Sequence, residues 1–377
     1  MKKLGIGVVG CGNISMTYLR NAALFPGLEL RACTDLDAGL AGMRAAEYGI
    51  RAQSMEALLA APDVDLVLNL TVPNAHFAVT LAALEAGKHV FTEKPLAATA
   101  AEGRRLVEAA QARGLALGSA PDTFLGAAGR RARQLIDAGS IGRPVVGTAF
   151  MMGRGMEHWH PNPAFYYQPG AGPVLDMGPY YVTMLVNLLG PARRVLAISG
   201  SGEEERLITA PGPLQGTSFA VGTPTTTLAL VEFASGAMVA IGMSWDVFRH
   251  SIPPIELHGT LGSLRLPDPD TFGGTIGLSR KGETWQEQPT EAAVHGALNW
   301  PFAAPDRANF RMLGVADLAR ALREGRSPRA SGALALHVLE VLEAIVSSGA
   351  SGQTQILPPA AVRPAALDEA EAASLGG

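Results

Sequence analysis

The sequence predicts an α/β fold in two parts. An N-terminal doubly wound parallel sheet is followed by an α+β domain built on a large, mostly antiparallel open sheet. Three observations predict it. Short apolar runs alternate with helical patterns through the first 120 residues; beyond Pro121 the apolar runs come in pairs joined by tight turns; and the first run breaks at a glycine turn directly into a helix.

That first run, Leu4 to Val9, is almost wholly apolar and too short for a helix, so it reads as a strand buried on both faces of a parallel sheet. It breaks at Gly10-Cys11-Gly12 and passes into Asn13-Ile14-Ser15-Met16-Thr17-Tyr18-Leu19, where Ile14, Tyr18 and Leu19 recur at helical spacing. Gly10 lets the backbone turn sharply, and Gly12 lets a pyrophosphate approach without a Cβ in the way. The free N–H groups opening the helix, at Asn13 and Ile14, point at the anion. The third small position falls on Ser15, which still permits close packing of helix on strand. Alone, the turn also suits a glycine-rich bend with no ligand. The second strand, Leu28 to Thr34, ends at Asp35, 25 residues after Gly10. A carboxylate there accepts hydrogen bonds from the adenosine ribose hydroxyls and repels a 2′-phosphate. Leu36 and Asp37 follow, with no arginine, so NAD is favoured over NADP. Asp37 reads as the cap of a helix beginning near Ala38.

The alternation continues. A helix is predicted at Ser54 to Ala60, a buried strand at Val64 to Thr71, and a helix at His76 to Glu85 with Asn74 as its cap. Lys88 to Thr92 reads as a strand, Thr99 to Arg113 as a helix and Leu115 to Ala120 as a strand. Such alternation with short loops implies right-handed crossovers, and ligands then sit beyond the carboxyl ends of the strands. Those ends are Gly10, Asp35, Thr71, Glu93 and Ala120.

After a helix at Gly126 to Ala138, strands are expected at Val145 to Met152 and Val195 to Ser201. Thr225 to Phe233 and Ala237 to Val247 pair across Ser235-Gly236. Further hairpins turn at Leu261-Gly262 and Lys281-Gly282. Helices at Arg307 to Arg323 and Ala330 to Ser347 close the chain. The expected organisation is a dinucleotide-binding domain at 1–122, a substrate and oligomerisation domain at 123–357 and a peripheral or mobile tail at 358–377.

Composition sets the class. Of 377 residues, 47% are apolar and 17% charged, the balance of an ordinary globular enzyme. Thirty basic against 34 acidic residues, with no basic block beyond Arg130-Arg131-Ala132-Arg133, argue against nucleic acid. Two cysteines, Cys11 and Cys33, supply neither a disulfide framework nor a metal set, which fits a reducing compartment. Lys2-Lys3 are followed by a stretch too short for a signal peptide, and no later window reads as a bilayer span. A cytoplasmic protein without membrane partners is expected.

Glu93-Lys94-Pro95 lies at a strand end on the ligand edge. A residue before proline is biased to extended backbone, which gives the lysine side chain a fixed direction. Beside an oxidised, cationic nicotinamide its pKa would fall toward the range useful for proton transfer.

The glycine turn, Asp35, Glu93-Lys94-Pro95 and the later run Gly170-Ala171-Gly172-Pro173-Val174-Leu175-Asp176-Met177-Gly178-Pro179-Tyr180 together resemble the Gfo/Idh/MocA family. The resemblance spans about residues 3 to 350. It implies a Rossmann domain followed by an open-sheet domain that often mediates contacts in a homodimer or homotetramer, and NAD(P)-dependent oxidation or reduction of sugar, polyol or cyclitol carbinols. It makes Lys94 a cofactor- and substrate-binding lysine and Asp176 a substrate-orienting or proton-relaying group. Where many members carry an acid/base histidine, four residues on, this chain has Tyr180. Spacing of four places Asp176 and Tyr180 on one helix face. Whether Lys94 or Tyr180 exchanges the proton stays open. Thr71, Pro73, Asn74 and His76 match the family's loop on the nicotinamide side, and Glu93 joins the cofactor set.

For the substrate, His158, Trp159 and Tyr166 precede the Asp176 loop, and aromatics interleaved with hydrogen-bonding groups suit a sugar ring. The same aromatics also suit loop packing. His158 and His160 lack a third soft ligand, so no metal is expected. Two other activities fit the resemblance: a glycosidase that uses retained NAD for transient oxidation, and a cofactor-binding regulator without catalysis.

Overall fold

The computed structural model describes residues 3–301, 306–360 and 362–376. Lys2, and Ala361 and Gly377 of the tail, lie outside the described residues.

The N-terminal sheet is parallel throughout, as the uninterrupted apolar runs predict. In chain order its elements are β1 (Leu4–Val9), α1 (Asn13–Asn21), β2 (Leu28–Thr34), α2 (Ala38–Tyr48), β3 (Arg51–Ala52), α3 (Met55–Ala60), β4 (Leu66–Asn69), α4 (Pro73–Glu85), β5 (His89–Thr92), α5 (Ala100–Ala112) and β6 (Leu117–Ser119). The strand order is β3-β2-β1-β4-β5-β6, so the chain reverses direction across the sheet between β1 and β4, where the carboxyl ends open a crevice. Ile6, Val8, Leu66, Leu68, Val90 and Phe91 are buried completely, which is why these strands carry no polar alternation. One start signal was misplaced: α4 begins at Pro73, with Val72 as the flanking residue and no side-chain cap from Asn74. Proline's fixed φ and missing N–H make it a ready first helical residue.

The second part contains α6 (Ala127–Asp137), β7 (Pro144–Met152), α7 (Pro173–Leu189), β8 (Ala192–Gly200), β9 (Glu205–Leu207), β10 (Ser218–Ala220), β11 (Thr226–Phe233) and β12 (Met238–Ser244). It continues with β13 (Ile255–Gly259), β14 (Gly262–Leu266), β15 (Thr275–Arg280), β16 (Gln286–Pro289), α8 (Leu313–Glu324), α9 (Gly332–Ser351), β17 (Gln355–Ile356) and α10 (Glu369–Leu375). Nine strands run β16-β15-β14-β13-β7-β12-β11-β8-β17, antiparallel except for the β7–β12 pair. Alternation puts Val195, Ala197, Ala229, Val231, Val239 and Ile241 under α7 and α9. The opposite face is apolar too: Leu196, Ile198, Leu228, Leu230, Met238 and Val146 are exposed.

Three expectations need correction. α8 starts at Leu313, not near Arg307, because the Asn309 and Arg311 amides are drawn off into side-chain bonds. The tail is packed: Leu367, Ala372 and Leu375 are buried, Arg329 donates to the Ala365 and Ala366 carbonyls, and Glu371 accepts from Arg329 at 2.6 Å. Its alanine-rich composition hid one apolar helical face. Finally, α9 does reach the length and mean hydropathy of a membrane span, 1.5 over its window. Here it packs against α5, α7 and β8, with Glu340 paired to Arg104 and Glu343 accepting from the Ala100 amide.

Candidate active site

The crevice begins at the β1–α1 turn. Gly10 has φ +97°, and a Cβ there would lie 2.7 Å from the Leu70 carbonyl carbon, so only glycine fits. A Cβ on Gly12 would meet nothing within 4 Å, which leaves open space on the side a ligand would take. No side chain caps α1 and no acid occupies its first turn, so the Asn13 and Ile14 amides stay available to an anion. Asp35 stands opposite. Its Oδ2 accepts from the Cys11 amide at 2.7 Å and its Oδ1 from the Asp37 amide at 2.9 Å. The carboxylate thus braces the glycine turn. Asp37 caps α2 through the Gly39 and Leu40 amides, as its position predicts. Open amides beside a fixed carboxylate fit the pyrophosphate and ribose of a dinucleotide.

Two residues expected to touch a cofactor also tie neighbouring elements together. His76 is 1% exposed, with Nδ1 2.6 Å from the Pro95 carbonyl and Nε2 2.9 Å from the Thr71 carbonyl. It ties the loop after β4 to the loop after β5. Glu93 is 7% exposed; it accepts from the Tyr18 hydroxyl at 2.6 Å and the Lys94 amide at 2.8 Å. Both are braces. Thr71 is held by Asn69, whose Oδ1 accepts its amide at 3.2 Å and its hydroxyl at 2.7 Å, while Pro73 and Asn74 are exposed at the opening of α4.

Lys94, Asp176 and Tyr180 converge. Lys94 Nζ donates to Asp176 Oδ1 at 2.8 Å and to the Asp176 carbonyl at 2.7 Å, and lies 5.4 Å from the centre of the Tyr180 ring. Gly172, at φ +95°, and Pro173 open α7 so that Asp176 falls in its first turn, and the four-residue spacing brings Tyr180 onto the same face. Burial pushes the Lys94 ammonium down, but Asp176, Tyr180 and Glu93 outweigh it and hold the group above its ordinary value. Burial and the Asp270 carboxylate push the Tyr180 phenol up, against Lys94 and Arg311.

Arg311, Asp270 and Asp122 went unnoticed in the sequence, and Tyr18 was read there only as an apolar helix position. Arg311 Nη2 donates to the Tyr180 hydroxyl at 3.3 Å and to Asp270 Oδ1 at 2.8 Å. Asp122, buried beyond β6, accepts the Gly314 amide at 2.8 Å, holding the first turn of α8. Burial, with the neighbouring Glu93 charge, raises its pKa to about 6 against the pull of the Gly314 amide and Arg311. None of these has a local spacing signature.

Around the cluster, Tyr166 is tied electrostatically to it: burial and Asp176 push its phenol up and Lys94 opposes. Its carbonyl accepts the Gly172 amide at 3.0 Å, which fixes it beside α7. Phe165 stacks on it, with ring centres 4.1 Å apart, and Trp159 is 54% exposed farther out. His158 bonds the Gly155 carbonyl and makes no recorded contact with Lys94 or Asp176 among the described residues. The loop is held by Arg206, paired to Glu157 at 3.2 Å and to Asp246, while Trp245 packs on Tyr166 and Tyr167.

Comparisons with known proteins agree with this architecture. Residues 4–120 match the profile of an oxidoreductase family with an NAD-binding Rossmann fold, and residues 130–265 match the C-terminal domain of the same GFO/IDH/MocA family. The 1,5-anhydro-D-fructose reductase of Ensifer adhaerens is 29% identical over 356 residues, covering 92% of this chain and 96% of that one. Inositol 2-dehydrogenase 3 of Saccharopolyspora erythraea is 39% identical over 144 residues, covering 37% of this chain and 43% of its own length. A levoglucosan dehydrogenase solved with NADH and L-sorbose superposes with a TM-score of 0.81 at 22% identity, over 95% of this chain and all of that one, a likeness of fold. Two matched domains, in this order and on this topology, place the chain in the GFO/IDH/MocA family of NAD-binding oxidoreductases.

Proposed function

We propose that the chain transfers a hydride between a ring carbinol of a sugar, polyol or cyclitol and the nicotinamide of NAD, with Lys94, Asp176 and Tyr180 handling the substrate oxygen and its proton. The observation that carries this reading is the Lys94 ammonium pinned to Asp176 against the Tyr180 ring, at the carboxyl end of β5.

Bound NAD would supply the hydride acceptor. Two of Lys94's three N–H groups are taken by Asp176, and the third is left to hydrogen-bond the substrate oxygen. Asp176 sets the direction of that bond. In oxidation the hydroxyl proton must leave as the hydride departs, and in reduction a proton must reach the new alkoxide. Lys94 is held charged by Asp176, so Tyr180 is the group assigned to exchange the proton, and Lys94 stabilises negative charge developing on the oxygen. Tyr166 lines the substrate side, and Trp159 and His158 are assigned to its outer rim. The names of the relatives, an anhydro-sugar reductase and an inositol dehydrogenase, support a ring substrate. Asp35 supports NAD over NADP.

The test is nicotinamide absorbance, with analysis of released sugar, on adding NAD or NADP to purified protein with anhydrohexoses, hexoses, pentoses, inositols and glycosides. NAD-dependent turnover, best with a ring polyol, is expected. Release of sugar from a glycoside without net NAD reduction would replace this reading with the redox-assisted glycosidase, and NAD binding without turnover on any compound would replace it with the regulator.

The open face of the nine-stranded sheet supports a homo-oligomer. Ile198 pairs with Leu228 and Leu196 with Leu230 across β8 and β11, giving a continuous apolar patch that solvent would otherwise cover at a cost. Leu230→Asp with Ile198→Asp is expected to yield monomers by sedimentation velocity; an unchanged assembly would rule this face out.

A further inference from the structure

We propose that Arg311 is the positioning residue for proton exchange at Tyr180, aiming the phenolic proton at the substrate and stabilising the phenolate left when that proton is given up. The proposal rests on the reading of Tyr180 as the exchanging group.

The geometry has three parts. First, the Arg311 N–H donates to the Tyr180 oxygen at 3.3 Å. A phenol has one proton to give and two lone pairs; with one lone pair filled by the guanidinium, the O–H proton must point elsewhere. Among the described residues no protein group accepts that proton, and the Lys94 ammonium lies on the ring's face. The proton is therefore free for a substrate oxygen held by Lys94.

Second, Arg311 is anchored as a fixed charge. Asp270 accepts from it at 2.8 Å and is itself backed by Arg307 at 3.6 Å. The Arg311 amide donates to Asn309 Oδ1 at 3.3 Å; Asn309 in turn donates its amide to Asn299 at 2.7 Å and accepts from Asn21 through its carbonyl at 3.0 Å. The next residue, Met312, sits at φ +96°, a conformation a side chain rarely tolerates unless its surroundings enforce it. Two residues on, the Gly314 amide is clamped by Asp122. A surface arginine would not need such fixing.

Third, the charges around Tyr180 make the arginine's effect specific. Lys94 faces the ring from the loop after β5 and Arg311 faces the hydroxyl from the segment before α8. Asp270, from the loop after β14, and Glu93 oppose them; Tyr18, from α1, and Asp122 border the guanidinium. Lys94 and Arg311 oppose the burial and the carboxylates that push the phenol up, so loss of one cation disfavours the phenolate further.

The test is a double-mutant cycle on the full-length protein, using the best substrate from the absorbance panel. Arg311→Lys keeps a charge but loses the planar fork; Arg311→Met removes both. In each, the KM for NAD should stay within about threefold. The rising limb of the kcat profile for oxidation, where the phenol loses its proton to become the base, should move to higher pH, by about one unit in Arg311→Met, with about a tenfold fall in kcat at neutral pH. In a Tyr180→Phe background the same substitutions should change kcat by less than about threefold, since the group they serve is gone. If Arg311→Lys costs as much with phenylalanine as with tyrosine, or the pH limb stays put, Arg311 is structural and the proposal fails. If Tyr180→Phe alone retains full kcat with its pH profile intact, the assignment of Tyr180 fails instead.

Discussion

Lys94→Met is expected to lower kcat by about 10³- to 10⁴-fold while leaving a folded protein that binds NAD. The size follows from what is lost. Lys94 is the donor to the substrate oxygen and the charge that stabilises its developing alkoxide, and such groups contribute about 10²- to 10⁴-fold each. Methionine keeps the length and apolar stem of the side chain, so the packing beside Pro95 and Tyr180 is largely preserved. It does leave Asp176 without its partner. The carboxylate is about a quarter exposed, at 23%, so water takes up much of that loss and unfolding is not expected. Steady-state kinetics at saturating NAD, with thermal melting as the control for folding, check this. A variant with unchanged melting and less than about a tenfold fall in kcat would remove Lys94 from the chemistry.

Asp35→Ala is expected to raise the KM for NAD by about 30- to 1,000-fold with little change in kcat at saturation. A carboxylate accepting two ribose hydroxyls contributes on the order of 2 to 4 kcal/mol, and each 1.4 kcal/mol is tenfold. The protein feels the loss too, because Asp35 also accepts the Cys11 and Asp37 amides and so shapes the turn that receives the pyrophosphate. NADP should suffer less than NAD, since the repulsion against a 2′-phosphate disappears with the charge. The measurement is the ratio of kcat/KM for the two cofactors in parent and variant. A ratio that does not move would mean that Asp35 braces the turn without facing the ribose.

The parts of the site that were legible in the sequence are those whose geometry is local. A buried strand, two glycines and a helix start follow one another within twelve residues, and Asp176 and Tyr180 share a helix face by spacing alone. The Glu93-Lys94-Pro95 segment was legible as a strand-end motif, but not the fate of its glutamate, which is spent on Tyr18 and the Lys94 amide. For His76 the sequence showed a place in the loop after β4 but not the tie its ring makes between two carbonyls. Arg311 was invisible because its partners lie 131 and 41 residues away, and no periodicity carries that information. The tail misled for a related reason: Arg329, Arg326 and Arg320 meet it from α8 and the loop before α9, so its order depends on charges elsewhere in the chain. Composition described the open sheet well as strands and said nothing of its exposed apolar face, since both faces of β8 and β11 are apolar.

The central claim is that hydride passes directly between a substrate carbon and the nicotinamide at the Lys94, Asp176 and Tyr180 cluster. The most direct measurement is mass spectrometry of the reduced cofactor after turnover of a ring polyol deuterated at its carbinol carbons, in water. One deuterium is expected on the nicotinamide ring of every reduced cofactor formed, with a slowed rate for the labelled substrate. Reduced cofactor without deuterium, or sugar product formed with the label fully washed into solvent, would contradict it.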